Sequence, residues 1–385
     1  MERVLVLADD LTGALEVGAK FAATGMSVRA VAGSGFPVNN LQEEFVLVID
    51  SETRHMVPEQ ARRRVFELAR AGRDAGFQWV YKKTDSTLRG NIASEIWALS
   101  DVFPDCPLLY VPAYPKKGRT VRAGILYVEG VPVAETSFGA DELNPVRVSH
   151  IPTLLFAGCR KRVFSISAGG LGASLEAGVY VCDGETDSDL EAAAAKFVQL
   201  SIPFRIAAGP AGFVDALTRF IDLPRTAPPR LPRLSRVLVV NGSRHDVSIR
   251  QIRYAREHIL TARDSAEAAI AADTSGWVIL DTAESEAEPV NFGRRLAQIV
   301  RDILEQVRLD AIAVFGGDTA YAILELMGRP DLQPVGEVLE GVPVSAVRRK
   351  AAGLKGDGFL YLISKAGGFG PVDVVCRMQI ELTRG

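Results

Sequence analysis

The chain has 385 residues, 48% of them hydrophobic and 24% charged, with a formal net charge of −3. That length suits two domains with substantial cores, and the charge balance does not point to nucleic acid as a partner. The four cysteines are scattered with no Cys-x-x-Cys pair, which argues against a zinc site and a disulfide framework and suits a reduced, cytoplasmic protein. Val4 to Ala8 is apolar but stops at Asp9-Asp10, so it does not read as a signal peptide. No apolar run approaches the roughly 18 residues of a membrane span, and no membrane partner is expected.

Val4 to Ala8 reads as a buried parallel strand. Asp9-Asp10-Leu11-Thr12-Gly13-Ala14 follows, and a helix pattern runs on to Ala23. Two adjacent acids at a strand end can hold sugar hydroxyls or a magnesium-bound phosphate. Asp10 or Thr12 can equally cap the helix. Ser27 to Ala32 and Phe45 to Ile49 read as the next strands. The second of these ends in Asp50-Ser51-Glu52-Thr53-Arg54-His55, before a helix opened by Pro58. Arg54 is the functional candidate in that loop, and His55 reads as structural.

Residues 81–91 are the densest stretch in the chain. Tyr81-Lys82-Lys83-Thr84-Asp85-Ser86-Thr87-Leu88-Arg89-Gly90-Asn91 follows an apolar run and precedes a helix pattern over residues 92–103. An ordinary turn needs no such concentration of charge. Arg89 can hold a carboxylate or phosphate through two N–H groups, and Lys82 or Lys83 can act as a point charge. Asp85 can accept a proton from a substrate hydroxyl. Ser86, Thr87 and the amides around Gly90 stand where a helix begins and can donate to an anion.

Leu108 to Val111 is a fifth strand. It leads into the stiff, basic loop Pro112-Ala113-Tyr114-Pro115-Lys116-Lys117-Gly118-Arg119-Thr120. Residues 125–136 suit a hairpin around Gly130. Three further strands are expected near residues 163–166, 179–182 and 204–207. Residues 222–232 hold four prolines in eleven residues and read as a stiff linker. The domains are therefore placed at 1–222 and 236–385, joined by 223–235.

The second half restarts the alternation. Strands are expected at 237–240, 277–280, 311–315 and 359–363, with helices through Gln251, near 292–307 and to Met327. An acidic loop follows the second of these strands. Three strand ends are rich in small residues: Gly242-Ser243, Gly316-Gly317-Asp318-Thr319, and Ser364-Lys365-Ala366-Gly367-Gly368-Phe369-Gly370. Glycines admit a ligand close to the backbone, and helix N-termini donate to phosphate. Neither a P-loop nor a Gly-x-Gly-x-x-Gly dinucleotide motif is present. The expected class is α/β: two domains, each a mainly parallel sheet flanked by helices, with the active site in the cleft between them.

Together, Ala8-Asp9-Asp10-Leu11-Thr12-Gly13-Ala14, residues 83–91, Pro112-Ala113-Tyr114-Pro115 with Gly118-Arg119, Gly316-Gly317-Asp318-Thr319 and residues 364–370 resemble the four-carbon acid sugar kinases. The resemblance spans nearly the whole chain, in order. It departs at Glu16, at Thr53, and at Arg244-His245-Asp246 with Ser248. It implies an acid-sugar-binding N-terminal domain, an ATP-binding C-terminal domain and phosphorylation of the terminal hydroxyl of D-threonate, D-erythronate or a 3-oxo-tetronate. By resemblance Asp9, Asp10, Arg54, Lys83, Asp85, Ser86 and Arg89 belong to the sugar site. Ser243, Gly316 to Thr319, Gly367 and Gly368 contact ATP.

Phosphoryl transfer needs positioning and charge neutralisation. The expected roles are Asp85, Arg89 and Asp9 in catalysis, and Asp10, Arg54, Lys83, Ser86 and Gly90 in substrate binding. Ser243, Gly316, Gly317, Asp318, Thr319, Lys365, Gly367 and Gly368 are expected to bind ATP, with Mg2+ and no assigned metal ligands. The base is Asp85 or one of the Asp9/Asp10 pair. The charge on the transferred group is offset by Lys365 or by a basic residue of the first domain. The expected partner is a small acid sugar, in a homodimer by the commonest symmetry. The alternatives are a non-catalytic acid-sugar and nucleotide sensor, or a kinase for another small sugar acid.

Overall fold

A computed structural model describes residues 2–33, 35–37, 45–141, 143–156, 162–280 and 289–384. The chain forms two compact units, one of Met1–Val28 with Gly33–Thr226 and the other of Arg29–Ala32 with Ala227–Gly385. The division at Thr226/Ala227 falls inside the proline-rich stretch. That stretch is pinned within the first unit by an isolated bridge of Met26 to Arg225 and by Thr226 N–H donating to the Gly25 carbonyl at 2.8 Å.

Up to the stretch at 222–232, the elements are β1 (Val4–Ala8), α1 (Leu11–Ala22), β2 (Val28–Ala32), β3 (Val46–Asp50), α2 (Pro58–Asp74), β4 (Trp79–Lys83), α3 (Ile92–Val102), β5 (Pro107–Tyr110), β6 (Arg119–Arg122), β7 (Ile125–Val128), β8 (Val131–Pro132), α4 (Ile151–Phe156), β9 (Val163–Ile166), β10 (Gly178–Cys182), α5 (Asp187–Val198), β11 (Arg205–Gly209) and α6 (Ala211–Leu217). The first unit's main sheet runs β3-β1-β4-β11-β5-β10-β9, and every pair in it is parallel. All five residues of β1 are buried, as a parallel strand covered on both faces requires. The expected hairpin forms as β7 and β8, with Val128 opposite Val131. β6 joins it to make a small separate antiparallel sheet, which the sequence pattern had not suggested.

β1 is the first strand, and the chain moves to β3 on one side of it and to β4 on the other. Such a reversal opens a crevice at the strand C-termini. The register brings those termini level: Ala8 pairs with both Asp50 and Lys83, and Lys83 pairs with Gly209. Loops 9–10, 51–57 and 84–91 therefore emerge side by side.

The second unit adds β12 (Val237–Asn241), α7 (Asp246–Ala255), β13 (Leu260–Ala262), α8 (Ser265–Ser275), β14 (Trp277–Leu280), α9 (Pro289–Gln306), β15 (Ala311–Phe315), α10 (Gly317–Leu326), β16 (Leu332–Leu339), β17 (Val342–Arg348), β18 (Phe359–Lys365) and α11 (Val374–Arg384). Strands β13, β14, β12, β15 and β18 are parallel neighbours in that order. β17 and β16 then follow antiparallel, as does the pairing of Ala30 in β2 with Leu332. The sheet is thus mainly parallel here too, with an antiparallel edge that the sequence pattern had not suggested. Pro334 and Gly336 inside β16 break the sequence pattern of a strand. β2, expected with the first domain, is tied to β16 and to Asp331, whose carboxylate meets Arg29 at 2.7 Å. The acidic loop expected after β14 lies outside the described residues. No helix is long and apolar enough to cross a membrane among the described residues.

Candidate functional site

Arg54 is the hub of the first unit's crevice. Its Nε donates to Asp9 Oδ2 at 2.7 Å and its Nη1 to Asp10 Oδ2 at 2.6 Å, while Nη2 lies 3.5 Å from Asp85 Oδ2. One planar guanidinium, with its fork of donors, thus ties together carboxylates from two loops. The backbone is built to deliver it. The N–H groups of Thr53 and Arg54 both donate to the Asp9 carbonyl, and Asn91 Nδ2 donates to the carbonyls of Thr53 and Met56 at 2.8 Å each. Gly90 has φ +86°, and a Cβ there would sit 3.2 Å from Arg54 Cγ and 3.4 Å from Arg54 Cα. Its part in the site is to let the two loops touch.

Asp10 does two things at once. It caps α1, accepting from Gly13 N–H at 2.9 Å, and it pairs with Arg54. The capping reading of this residue therefore holds, beside an ion pair with Arg54.

Asp85 is more enclosed than a free base would be. Its Oδ1 accepts from Thr87 N–H at 2.9 Å, from the Thr87 hydroxyl and from Arg89 Nε at 3.2 Å; its Oδ2 accepts from Arg89 Nη2 at 2.9 Å. Burial opposes its ionisation, but Arg89 and Arg54 outweigh burial and hold the carboxyl well below the usual range. A carboxylate so stabilised is a weak proton acceptor. Arg89 is correspondingly less open than expected. Two of its nitrogens face Asp85, Nη1 lies 3.6 Å from Asp141, and its guanidinium stands 5.4 Å over the Phe138 ring. Ser86 is half-buried and makes no hydrogen bond to protein among the described residues.

Asp9 differs from Asp85 in one respect that matters for chemistry. Its Oδ1 is buried and accepts no hydrogen bond, and the nearby Thr12 hydroxyl is orphaned in the same way. Burial raises the Asp9 carboxyl, but Arg54, Lys83 and Lys82 together bring it below the usual range. Lys83 reaches the start of α1, where a Cβ on Gly13 would come within 2.5 Å of its ammonium. Unpaired buried polar atoms are rare in finished structures and call for a partner. Asp9 Oδ1 and Thr12 Oγ1 are two such atoms, and the Lys83 ammonium stands at the start of the same helix.

Glu95 went unnoticed in the sequence, and the partners of Lys82 and Glu16 could not be read from it. Alternation along β4 sends Lys82 and Lys83 to opposite faces. Lys82 meets Glu95 of α3 at 3.1 Å, and Glu95 accepts from the Thr53 hydroxyl; Lys82 and Glu95 are both fully buried. The available signal was an acid on the same helix face as Ile92, Ile96 and Leu99. Glu16 pairs with Lys117 at 2.6 Å and accepts from Tyr114 at 3.1 Å, linking α1 to the basic loop.

Asp50 is fully buried at the end of β3 with Oδ2 unpartnered. Burial, reinforced by Glu52, pushes its carboxyl well above the usual range, so the folded state favours the neutral acid. Stability from such a group is complete below its unfolded pKa and is lost as pH rises through the folded one. Asp50→Asn, neutral throughout, is therefore expected to melt higher than the parent at pH 8 and to show a flatter stability curve towards alkaline pH. A lower melting temperature for the variant at pH 8 would mean that the fold uses the ionised carboxylate.

The second unit's small-residue loops also converge. Gly242 N–H donates to the Phe315 carbonyl and Gly316 N–H to the Lys365 carbonyl, each at 2.9 Å. A Cβ on Gly242 would collide with Thr319 Oγ1 at 1.8 Å, and one on Gly367 with Ser243 Oγ at 2.1 Å. A Cβ on Gly368 would lie 3.2 Å from His245 Nε2, and one on Gly316 3.3 Å from Ser243 N. At Gly242 and Gly367 only hydrogen lets the loops close on one another, and at Gly316 and Gly368 the approach is tight. α10 starts at Gly317 without a side-chain cap, and the exposed Asp318 stands in its first turn. Open N–H groups at a helix start favour phosphate. Lys365, in contrast, does not reach outwards. It is 1% exposed, donates to the Ala366 carbonyl at 2.8 Å and lies 4.8 and 4.9 Å over the rings of Phe315 and Phe369.

Residues 4–217 match the family model for a sugar-binding N-terminal domain, and residues 279–375 match that for a nucleotide-binding C-terminal domain. The D-threonate kinase of Bordetella bronchiseptica is 31% identical to this chain, covering 97% of it and 95% of that protein. The chain belongs to the four-carbon acid sugar kinase family. Within this family, the D-threonate kinase of Cupriavidus necator is 30% identical over 95% of this chain and 94% of its own. The D-erythronate kinase of Heliobacterium modesticaldum is 34% identical over 63% of this chain and 58% of its own. A solved structure from Salmonella typhimurium LT2 superposes with a TM-score of 0.80 at 21% identity, covering 99% of this chain and all of that one, and so shares the fold.

Proposed function

We propose that this family member is an ATP-dependent kinase that phosphorylates the terminal (4-) hydroxyl of a four-carbon acid sugar: D-threonate, D-erythronate or a 3-oxo-tetronate. The observation that carries the reading is Asp9, a buried carboxylate with one oxygen unclaimed, surrounded by Arg54, Lys82 and Lys83. The names of the relatives supply the substrate class, and the glycine-lined loops of the second unit suit the phosphates of a nucleotide.

In this reading Asp9 Oδ1 accepts the hydroxyl proton as the hydroxyl oxygen attacks the γ-phosphorus and ADP departs. Arg54 keeps Asp9 ionised and aimed. Lys83, with Ser86 and the outer N–H groups of Arg89, holds the sugar's carboxylate and hydroxyls. Ser243, Gly316 to Thr319, Gly367 and Gly368 hold the nucleotide. Among the described residues no three His, Cys, Asp or Glu side chains are grouped to hold a metal. When bound, Mg2+ would be held by substrate phosphates, water and one or two carboxylates, and would neutralise phosphate charge. The reading requires the sugar and the γ-phosphate to meet with water excluded.

The test is ADP release by the purified protein with Mg-ATP against D- and L-threonate, D- and L-erythronate and their 3-oxo forms. Turnover on one of these is the expected result. Nucleotide binding with silence on all would move the substrate to another small sugar acid. Absence of both would leave the protein outside kinase chemistry.

A further inference from the structure

α7 presents Ser248 and Gln251, three positions apart and on one helix face, to the loop that follows β18. Gln251 is 1% exposed, and its Nε2 lies 3.0, 2.9 and 3.0 Å from the carbonyl oxygens of Phe369, Gly370 and Pro371. Ser248 is fully buried and its hydroxyl donates to the Gly367 carbonyl at 2.8 Å. With Lys365 on the Ala366 carbonyl, five of the six carbonyls from Ala366 to Pro371 are drawn onto protein donors. Gly370, at φ +94°, leaves room for this, since a Cβ there would meet Gln251 Nε2 and Lys365 Cε at 3.4 Å each.

The consequence falls on the other side of the loop. The N–H groups of Gly367 and Gly368 donate to no protein acceptor among the described residues. A short loop whose carbonyls are gathered on one side offers its N–H dipoles on the other, which makes an anion-binding concavity. Without Gln251, the carbonyls of Phe369, Gly370 and Pro371 would lose this donor and turn towards whatever donor or water they could reach. Rotating those peptides would carry oxygen lone pairs towards the anion.

We propose that Gln251, assisted by Ser248, is a positioning residue that sets the polarity of the Gly367–Gly370 loop for nucleotide phosphate. The inference rests on the nucleotide-binding reading of this unit. It assigns Gln251 an effect on nucleotide affinity and none on the acid sugar.

The experiment compares the parent with Gln251→Met, which keeps the side-chain length but removes the donors, and with Ser248→Ala. ADP binding is measured by calorimetry on the full chain, and both KM values and kcat are measured with the acid sugar found active. The Gln251→Met chain is expected to bind ADP about tenfold more weakly or worse and to raise the ATP KM to match. The KM for the acid sugar stays within twofold. Ser248→Ala, which removes a single bond, is expected to act in the same direction with about threefold effect. A folded Gln251→Met chain with parental ADP affinity would overturn the proposal, as would equal losses of sugar and nucleotide affinity. If Gln251→Met does not fold, Ser248→Ala decides by the same criteria. Failure of the parent itself to bind ADP would instead remove the functional reading beneath it.

Discussion

Replacing Arg54 by methionine is expected to abolish turnover and to lower the unfolding free energy by about 3–5 kcal/mol, the usual penalty for leaving buried charge uncompensated. Three carboxylates, Asp9, Asp10 and Asp85, face this one guanidinium. Methionine fills similar space, so the loss is electrostatic and not a cavity effect. Asp9 and Asp85 both ionise more readily in the folded state than usual. Such groups contribute stability above their unfolded pKa and lose it as pH falls through the folded one. The deficit of the variant should therefore be complete at neutral pH and should narrow only as pH falls from about 4 through the lowered folded values. Urea melts at about pH 7.5 and about pH 3 give the comparison. A deficit that is the same at both would mean that Arg54 acts by packing alone.

Asp9→Asn is expected to lower kcat by about 10²–10⁴-fold while leaving both KM values within a few-fold, the pattern of a lost general base. The amide is nearly isosteric and still offers an oxygen to Arg54, so the loop geometry is retained. Because the Asp9 carboxyl lies below the usual range, the parent's kcat/KM should stay level on the acid side until the protein itself loses stability. Asp85→Asn serves as the control. It removes a partner of Arg89 and Arg54 and is expected to disturb folding and sugar affinity more than the chemical step. If Asp85→Asn alone removed kcat and Asp9→Asn retained most of it, the base would be Asp85, the other candidate the sequence offered.

Much of this was legible beforehand because the signals are local. Short uninterrupted apolar runs such as Val4 to Ala8 and Ala311 to Phe315, five residues each and bounded by polar or glycine residues, suit strands covered on both faces. Polar residues crowding their C-terminal ends then mark the ligand side of an open α/β sheet. The antiparallel pair β16 and β17 was missed because Pro334 and Gly336 break the pattern locally, while pairing with neighbouring strands supplies what the pattern lacks. The small β6–β8 sheet was only half seen, since β6 is basic and half-exposed along most of its length.

Residue types and their order along the chain were enough to establish the alternating α/β plan, the polar strand ends and the glycine loops. These follow from hydrophobic period, turn chemistry and motif spacing, all of which act over a few residues. Partner choice among the charges was settled only by tertiary structure. Sequence placed Asp9, Asp10, Arg54, Asp85 and Arg89 in one neighbourhood without saying which would neutralise which. Strand register and the close approach at Gly90 bring Arg54 to three carboxylates and turn Asp85 onto Arg89, and they leave Asp9 with the unclaimed oxygen. Coulombic pairing depends on separations of a few ångströms in a low-dielectric interior. Those distances exist only once loops nearly eighty residues apart in the chain have been folded side by side.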